Sequence, residues 1–113
     1  MTQISKKNIV LVGNPNTGKS TLFNLFTGLN QKIGNFPGVT VDKKTGVFKI
    51  DNIGYNVIDL PGTYSLNPQS EDEKITRDYV LSTTDDDLIV IVADVTNLKR
   101  NLLLCTQIID QGK

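Results

Sequence analysis

The sequence predicts an α/β domain: a mostly parallel sheet flanked by helices and built around a phosphate-binding loop. Three observations predict it. Gly13-Asn14-Pro15-Asn16-Thr17-Gly18-Lys19-Ser20 fits the pattern G-x-x-x-x-G-K-[ST] at every fixed position. That stretch lies between an apolar run, Ile9-Val10-Leu11-Val12, and a segment of helical character. Strand-like and helix-like segments then alternate along the rest of the chain.

Each fixed residue of the loop has a mechanical job. Gly13 and Gly18 let the backbone wrap a phosphate where a Cβ would collide. Successive backbone N–H groups then form an anion nest. Lys19 would reach the β- and γ-phosphates as a mobile point charge, and Ser20 would place its hydroxyl on Mg²⁺. The helix behind the loop would add its dipole.

The elements follow in order. Strands are expected near Lys7–Val12, Lys44–Ile50, Tyr55–Asp59 and Leu88–Ala93. The second and third flank Asp51-Asn52-Ile53-Gly54 and read as an antiparallel hairpin. Helices are expected at Lys19–Thr27, Glu71–Ser82 and Asn101–Gln111. The first presents Leu22, Phe23, Leu25 and Phe26 as its apolar face and stops at Gly28. The second has Ser70 as its N-cap, Glu71, Asp72 and Glu73 in its first turn, and Ile75, Tyr79 and Val80 facing inward. Two stretches, Leu29 to Asp42 and Pro61 to Ser70, carry Gly, Pro and polar residues and read as long irregular loops. Both follow elements that would end beside the phosphate loop.

Bulk properties narrow the function. The 113 residues suit one domain, 38% hydrophobic and 21% charged, as in an ordinary globular protein. Twelve basic residues balance twelve acidic ones, which argues against nucleic acid or a membrane held by net charge. No apolar run approaches the roughly 20 residues of a spanning helix, and the polar start does not read as a signal peptide. The chain itself is therefore expected to be soluble, in a reducing cytoplasm, since its single Cys105 has no internal partner. Cys105, among Leu102, Leu103 and Leu104, reads as core. With no His, histidine acid–base chemistry is excluded.

Two further phosphate contacts can be read. Asp59-Leu60-Pro61-Gly62 follows the apolar Val57-Ile58. An Asp at the end of such a strand can meet Mg²⁺, and Gly62 can bring its N–H to a γ-phosphate. Thr40, in the first irregular loop, could complete the Mg²⁺ shell when γ-phosphate is present. Spacing alone leaves Thr40 equally readable as an ordinary β-former.

Taken together, the phosphate loop, Gly34-Asn35-Phe36-Pro37-Gly38-Val39-Thr40-Val41 and Asp59-Leu60-Pro61-Gly62-Thr63-Tyr64-Ser65-Leu66 resemble the N-terminal G domain of the FeoB-type ferrous iron transporters. Asp94-Val95-Thr96-Asn97-Leu98-Lys99-Arg100-Asn101-Leu102 is similar to that family's segment after its next strand. The resemblance implies a P-loop NTPase of the Ras-like G-domain type. It implies GTP and GDP as nucleotides, Mg²⁺ and K⁺ as ions, and hydrolysis coupled to Fe(II) uptake at the cytoplasmic face of the cell membrane. The nucleotide would contact Gly13, Asn14, Pro15, Asn16, Thr17, Gly18, Lys19, Ser20 and Thr21, then Gly38, Val39 and Thr40, then Asp59, Leu60, Pro61 and Gly62. Ser20, Thr40 and Asp59 would serve Mg²⁺. Asn16, with carbonyls around Gly34 and Phe36, would serve K⁺. Lys19, Asn16, Thr40 and Gly62 would act on the transition state. Position 63 holds Thr where Ras-like enzymes carry a water-orienting Gln, so backbone and ions are expected to place the water.

In such GTPases an N-K-x-D-like segment reads guanine. Asn97-Leu98-Lys99-Arg100 does not replace it: it follows the strand too soon and lacks the acid. Residues 1–113 are thus expected to be the N-terminal portion of a P-loop GTPase domain, incomplete at its C-terminus. The partner would be the transmembrane domain of the same longer protein, with self-association left open. Two alternatives stand beside this one. The chain could be a nucleotide sensor that does not turn over, or another GTPase such as a ribosome-assembly factor.

Overall fold

Val10, Leu11 and Val12 are shut off from solvent entirely because their strand has neighbours on both edges and helices on both faces. The computed structural model describes residues 8–15, 17–28, 31–66, 69–93 and 98–112. In chain order the elements are β1 (Asn8–Gly13), α1 (Lys19–Thr27), β2 (Gln31–Asn35), β3 (Asp42–Ile50), β4 (Ile53–Asp59), α2 (Glu71–Ser82), β5 (Asp87–Val92) and α3 (Leu98–Asp110). The sheet order is β2-β3-β4-β1-β5. β1 runs parallel to both β4 and β5, while β2, β3 and β4 form an antiparallel meander. The sheet is therefore mixed, parallel where helices cross over and antiparallel where a tight turn suffices.

The period of two along β1 divides the core. Ile9 and Leu11 join Phe23 of α1 and Val57 on one face. Val10 and Val12 join Ile58, Leu60, Val80 of α2, and Leu104 and Ile108 of α3 on the other. The sheet extends from β1 on both sides, toward β4 and toward β5. The C-terminal ends of β1, β4 and β5 thus share one rim, where open α/β sheets hold their ligands.

Several expectations need correction. Leu29–Asp42 is not wholly irregular: Gln31–Asn35 pair with Asp42–Gly46 as an edge strand. The Gly34 and polar residues that argued for a loop are tolerated there because one side of β2 has no neighbour. Phe36, after that strand, is buried in the core. The hairpin turn is Asp51-Asn52, both in the left-handed region at φ 52° and 68°, and Ile53 and Gly54 already belong to β4. α3 begins at Leu98, not Asn101. On α1 only Phe23 of the expected apolar face is buried, and Leu25 is 76% exposed. Phe26 stacks on Phe48 of β3 instead, ring centroids 4.7 Å apart. Cys105 is half-buried, outside the two core clusters. The bounds of α1 and α2 agree with the sequence reading, as does Gly28, whose N–H donates to Asn24 O at 2.9 Å.

Candidate functional site

The two helices α1 and α2 differ at their N-termini. α2 satisfies its own: Ser70 Oγ accepts from Glu73 N at 3.2 Å, and Glu71, Asp72 and Glu73 oppose the dipole. α1 has no side-chain cap and no acidic residue in its first turn. Gly18, at φ 84°, takes the left-handed conformation that turns the loop into the helix. The end of α1 is thus left with donor groups and positive dipole for an anion.

Lys19 stands at that end and is only 8% exposed. Its Nζ is paired with Asp59 Oδ1, at the end of β4, and donates to Leu60 O at 2.7 Å. Asp59 is itself 5% exposed. Lys19 therefore does not reach into open space as a free charge. Two buried charges compensate one another, as burial demands.

The chain after Asp59 runs beside β1. Leu60 N donates to Leu11 O at 3.2 Å and Thr63 N to Gly13 O at 2.9 Å. This places Gly62 over the phosphate loop, where a Cβ on it would lie 2.9 Å from both the N and Cα of Pro15. Thr76 Oγ1 donates to Pro61 O at 2.8 Å from the α2 side. Thr17 Oγ1 donates to Asn14 O at 3.0 Å and closes the loop on itself.

Two adjoining recesses result. One, of about 290 Å³, is lined by Asn14, Pro15, Thr17, Gly18, Lys19, Ser20 and Gly62. The other, of about 450 Å³, is lined by Lys19, Ser20, Thr40, Asp59, Leu60, Pro61 and Gly62, with Val41, Asp42, Lys44, Glu71 and Asp72. Residues from three separate sequence segments thus meet where the motifs placed them. Ser20, Thr40 and Asp59 share the second recess, and Lys19, Ser20 and Gly62 are common to both. Gly13 ends β1 beneath the loop, and a Cβ there would strike Val92 O at 2.7 Å. Thr21 lies on an exposed face of α1, and Gly38, Val39 and Thr40 lead into β3. Gly34 is in β2 and Phe36 in the core. Asn16 lies outside the described residues. A larger recess, about 580 Å³, is elsewhere, on the sheet face beside Lys32, Lys43 and Tyr79. It contains no phosphate-loop residue, so chemistry places the site at the smaller pair.

Sequence reasoning missed the role of Glu73. One carboxylate oxygen accepts from Gln69 N at 2.9 Å. The other accepts from Thr63 Oγ1 at 3.0 Å and Tyr64 N at 3.4 Å. The Gln69 backbone bond, aided by those to Thr63 and Tyr64, holds the Glu73 carboxyl below its ordinary range against the opposing effect of burial. The capping-box spacing Ser70-x-x-Glu73 was the signal available. Asp42, Lys44 and Asp72 were also not read as lining. No helix among the described residues is long and apolar enough to cross a membrane.

Comparison with known proteins gives the family and its fold. Residues 7–113 match the family model of ferrous iron transport protein B. The chain is 51% identical over 109 residues to the Fe(2+) transporter FeoB of Leptospira biflexa, covering 96% of the chain and 16% of that protein. It is 52% identical over 104 residues to the Fe(2+) transporter FeoB of Methanocaldococcus jannaschii, covering 92% and 15%. Among solved structures it superposes on the G domain of the T. maritima FeoB iron transporter with a TM-score of 0.87 at 48% identity, covering 94% of the chain and 66% of that one. A point mutant of S. thermophilus NFeoB bound to mGDP gives 0.85 at 52% identity, covering 96% and 41%. The chain spans about a sixth of the length of the two transporters. With the family model spanning nearly the whole chain and the P-loop GTPase fold in common with the FeoB G domain, the chain belongs to the ferrous iron transport protein B family.

Proposed function

We propose that this chain binds GTP and GDP at the rim of β1 and β4 and forms part of a GTPase domain in a longer membrane protein that imports Fe(II). One observation carries the reading. Lys19 and Asp59, buried and paired, stand where the two recesses meet. A phosphate entering the loop would take over Lys19, and the freed Asp59 carboxylate would then face a cation. The GDP- and mGDP-bound S. thermophilus relatives support guanine nucleotide as the ligand. The match to iron transporters over nearly the whole chain supports the transport role.

Ser20, Thr40 and Asp59 offer oxygen donors on one recess, which fits a hard divalent cation such as Mg²⁺. When bound there, Mg²⁺ would neutralise phosphate charge. Asn16, with carbonyls at Gly34 and Phe36, offers neutral oxygens that fit K⁺. The protein's own contributions are positional. Loop N–H groups and Lys19 hold the phosphates, and Gly62 presents its N–H to the terminal phosphate. Thr63 cannot act as a base on water, because it is fully buried and its hydroxyl is engaged with Ser65 O and Glu73. That leaves backbone groups and bound ions to place the water.

The same burial of Thr63 favours a second reading, a sensor that binds without useful turnover. Titration with GDP, a non-hydrolysable GTP analogue and its ATP counterpart tests binding. In the domain continued past residue 113, which would supply the guanine-reading segment, tight guanine nucleotide and negligible adenine nucleotide are expected, and equal affinity for both would overturn the assignment. Single-turnover hydrolysis of GTP then separates enzyme from sensor.

A further inference from the structure

The loop that follows Gly62 is tied down at several points. Most of the ties come from elements that border the recesses: Gly13 O to Thr63 N, Thr76 to Pro61, and Glu73 to Thr63 and Tyr64. One does not. Leu66 N donates to Gln107 Oε1 of α3 at 2.6 Å. α3 contributes no residue to either recess.

The placement of this bond follows from the helix period. Leu104, Gln107 and Ile108 lie on one face of α3. Leu104 and Ile108 are buried and pack with Val80 and with Leu66, itself 8% exposed. Leu66 is thus a loop side chain driven into the core between α2 and α3. Burial strips its N–H of water, and Gln107, half-buried at the same joint, supplies the acceptor. The joint is also accessible. A groove of about 180 Å³ beside it is lined by Leu66, Leu81, Gln107 and Asp110, among others. On that side the bond is not locked behind packed core.

We propose that Gln107 is a positioning residue that couples α3 to the placement of the Gly62 N–H. The position of α3 then favours a nucleotide carrying a γ-phosphate over GDP, whose own affinity it leaves alone. Only Thr63, Tyr64 and Ser65 lie between Gly62 and Leu66. Fixing Leu66 narrows the conformations Gly62 can sample and so reduces the ordering cost of meeting the γ-phosphate. GDP, which has no group at that point, gains nothing from the restraint. The proposal rests on the GTP/GDP reading above.

The test compares Gln107→Leu, of similar size without an acceptor, with Gln107→Glu, which keeps one, in the intact protein. The measurements are amide exchange at Leu66 and affinities for GDP and a non-hydrolysable GTP analogue. Gln107→Leu should exchange about tenfold faster at Leu66 and bind the analogue about fivefold more weakly, with GDP affinity unchanged. Gln107→Glu should stay close to wild type in both. Equal loss of both nucleotides in Gln107→Leu would mark Gln107 as a general structural pin and overturn the proposal. So would an unchanged affinity ratio, or a Gln107→Glu variant as impaired as Gln107→Leu. Wild-type protein that binds neither nucleotide would instead overturn the nucleotide reading, and the coupling with it.

Discussion

Gly62 rests on Pro15: the space a side chain would need at position 62 is filled by the Pro15 N and Cα, each 2.9 Å from where a Cβ would stand. The Asp59–Gly62 segment and the phosphate loop are therefore in direct backbone contact. Gly62→Ala must push them apart. It should cost about 1–3 kcal/mol of stability, measured by denaturant titration. Affinity for a GTP analogue should fall more than affinity for GDP, because the displaced N–H is the one proposed to meet the terminal phosphate. Wild-type values for both would mean the contact is slack.

Lys19 and Asp59 give a prediction in which stability and binding separate. Lys19→Ala should abolish nucleotide binding. It should also destabilise the fold by roughly 2–4 kcal/mol, because Asp59 is left buried without its partner. The double variant Lys19→Ala/Asp59→Asn removes the stranded charge. It should recover most of that stability while binding stays absent, as thermal melts and nucleotide titration would report. Binding that survives in either variant would remove the phosphate-loop assignment.

Glu73 predicts a pH dependence. Its folded carboxyl sits below the ordinary value of 4.5, so the folded state binds fewer protons than the unfolded one there. Its contribution is complete above that value and is lost as pH falls through the lowered one. Glu73→Gln should therefore lower stability only slightly at neutral pH, by about 0.5 kcal/mol, since solvent screens this partly exposed carboxylate, through weaker acceptance and a weaker opposition to the α2 dipole. The gap between variant and wild type should close in acid. Chemical denaturation across the acid range checks this, and a gap that widens there would contradict it.

The K⁺ assignment is tested by rate. In the domain continued to its full length, GTP hydrolysis should be faster in K⁺ than in Na⁺, and Asn16→Ala should erase most of the difference. Asn16 carries a neutral side-chain oxygen, and a cation held by it would offset charge developing in the transition state. Equal wild-type rates in the two salts would end the assignment.

How much of this could be read beforehand depended on whether the signal was local. The phosphate loop, α1, α2 and the Ser70 cap are set by neighbours in sequence, and each was legible. β2 was not, because Gln31–Asn35 has weak strand propensity and exists by pairing with β3. The exposure of Leu25 was not legible either: α1 meets the sheet through Phe23 and Phe26, a choice made by the strands it lies on. At the site, motif spacing brought Lys19, Ser20, Asp59 and Gly62 together in advance, and only the family resemblance added Thr40. It could not give the Lys19–Asp59 pair, the Pro15–Gly62 contact or the bonds of Glu73. Those depend on how distant segments come to lie against one another.

The hairpin tip at Asp51-Asn52 closes the sheet at the end opposite the nucleotide rim. The seven residues of β4 carry the chain from that tip to Asp59, roughly 20 Å of extended strand. The pairing of Lys44 with Asp59 is set at the other end, by the buried side chains of β4 and by β1 beside it. Chain can therefore be gained or lost at the tip without the register at Asp59 sensing it. A residue removed from the middle of β3 would turn every side chain beyond it to the opposite face. Drift in length between homologues belongs at Asp51-Asn52, and so does any reporter group meant to leave the chemistry untouched.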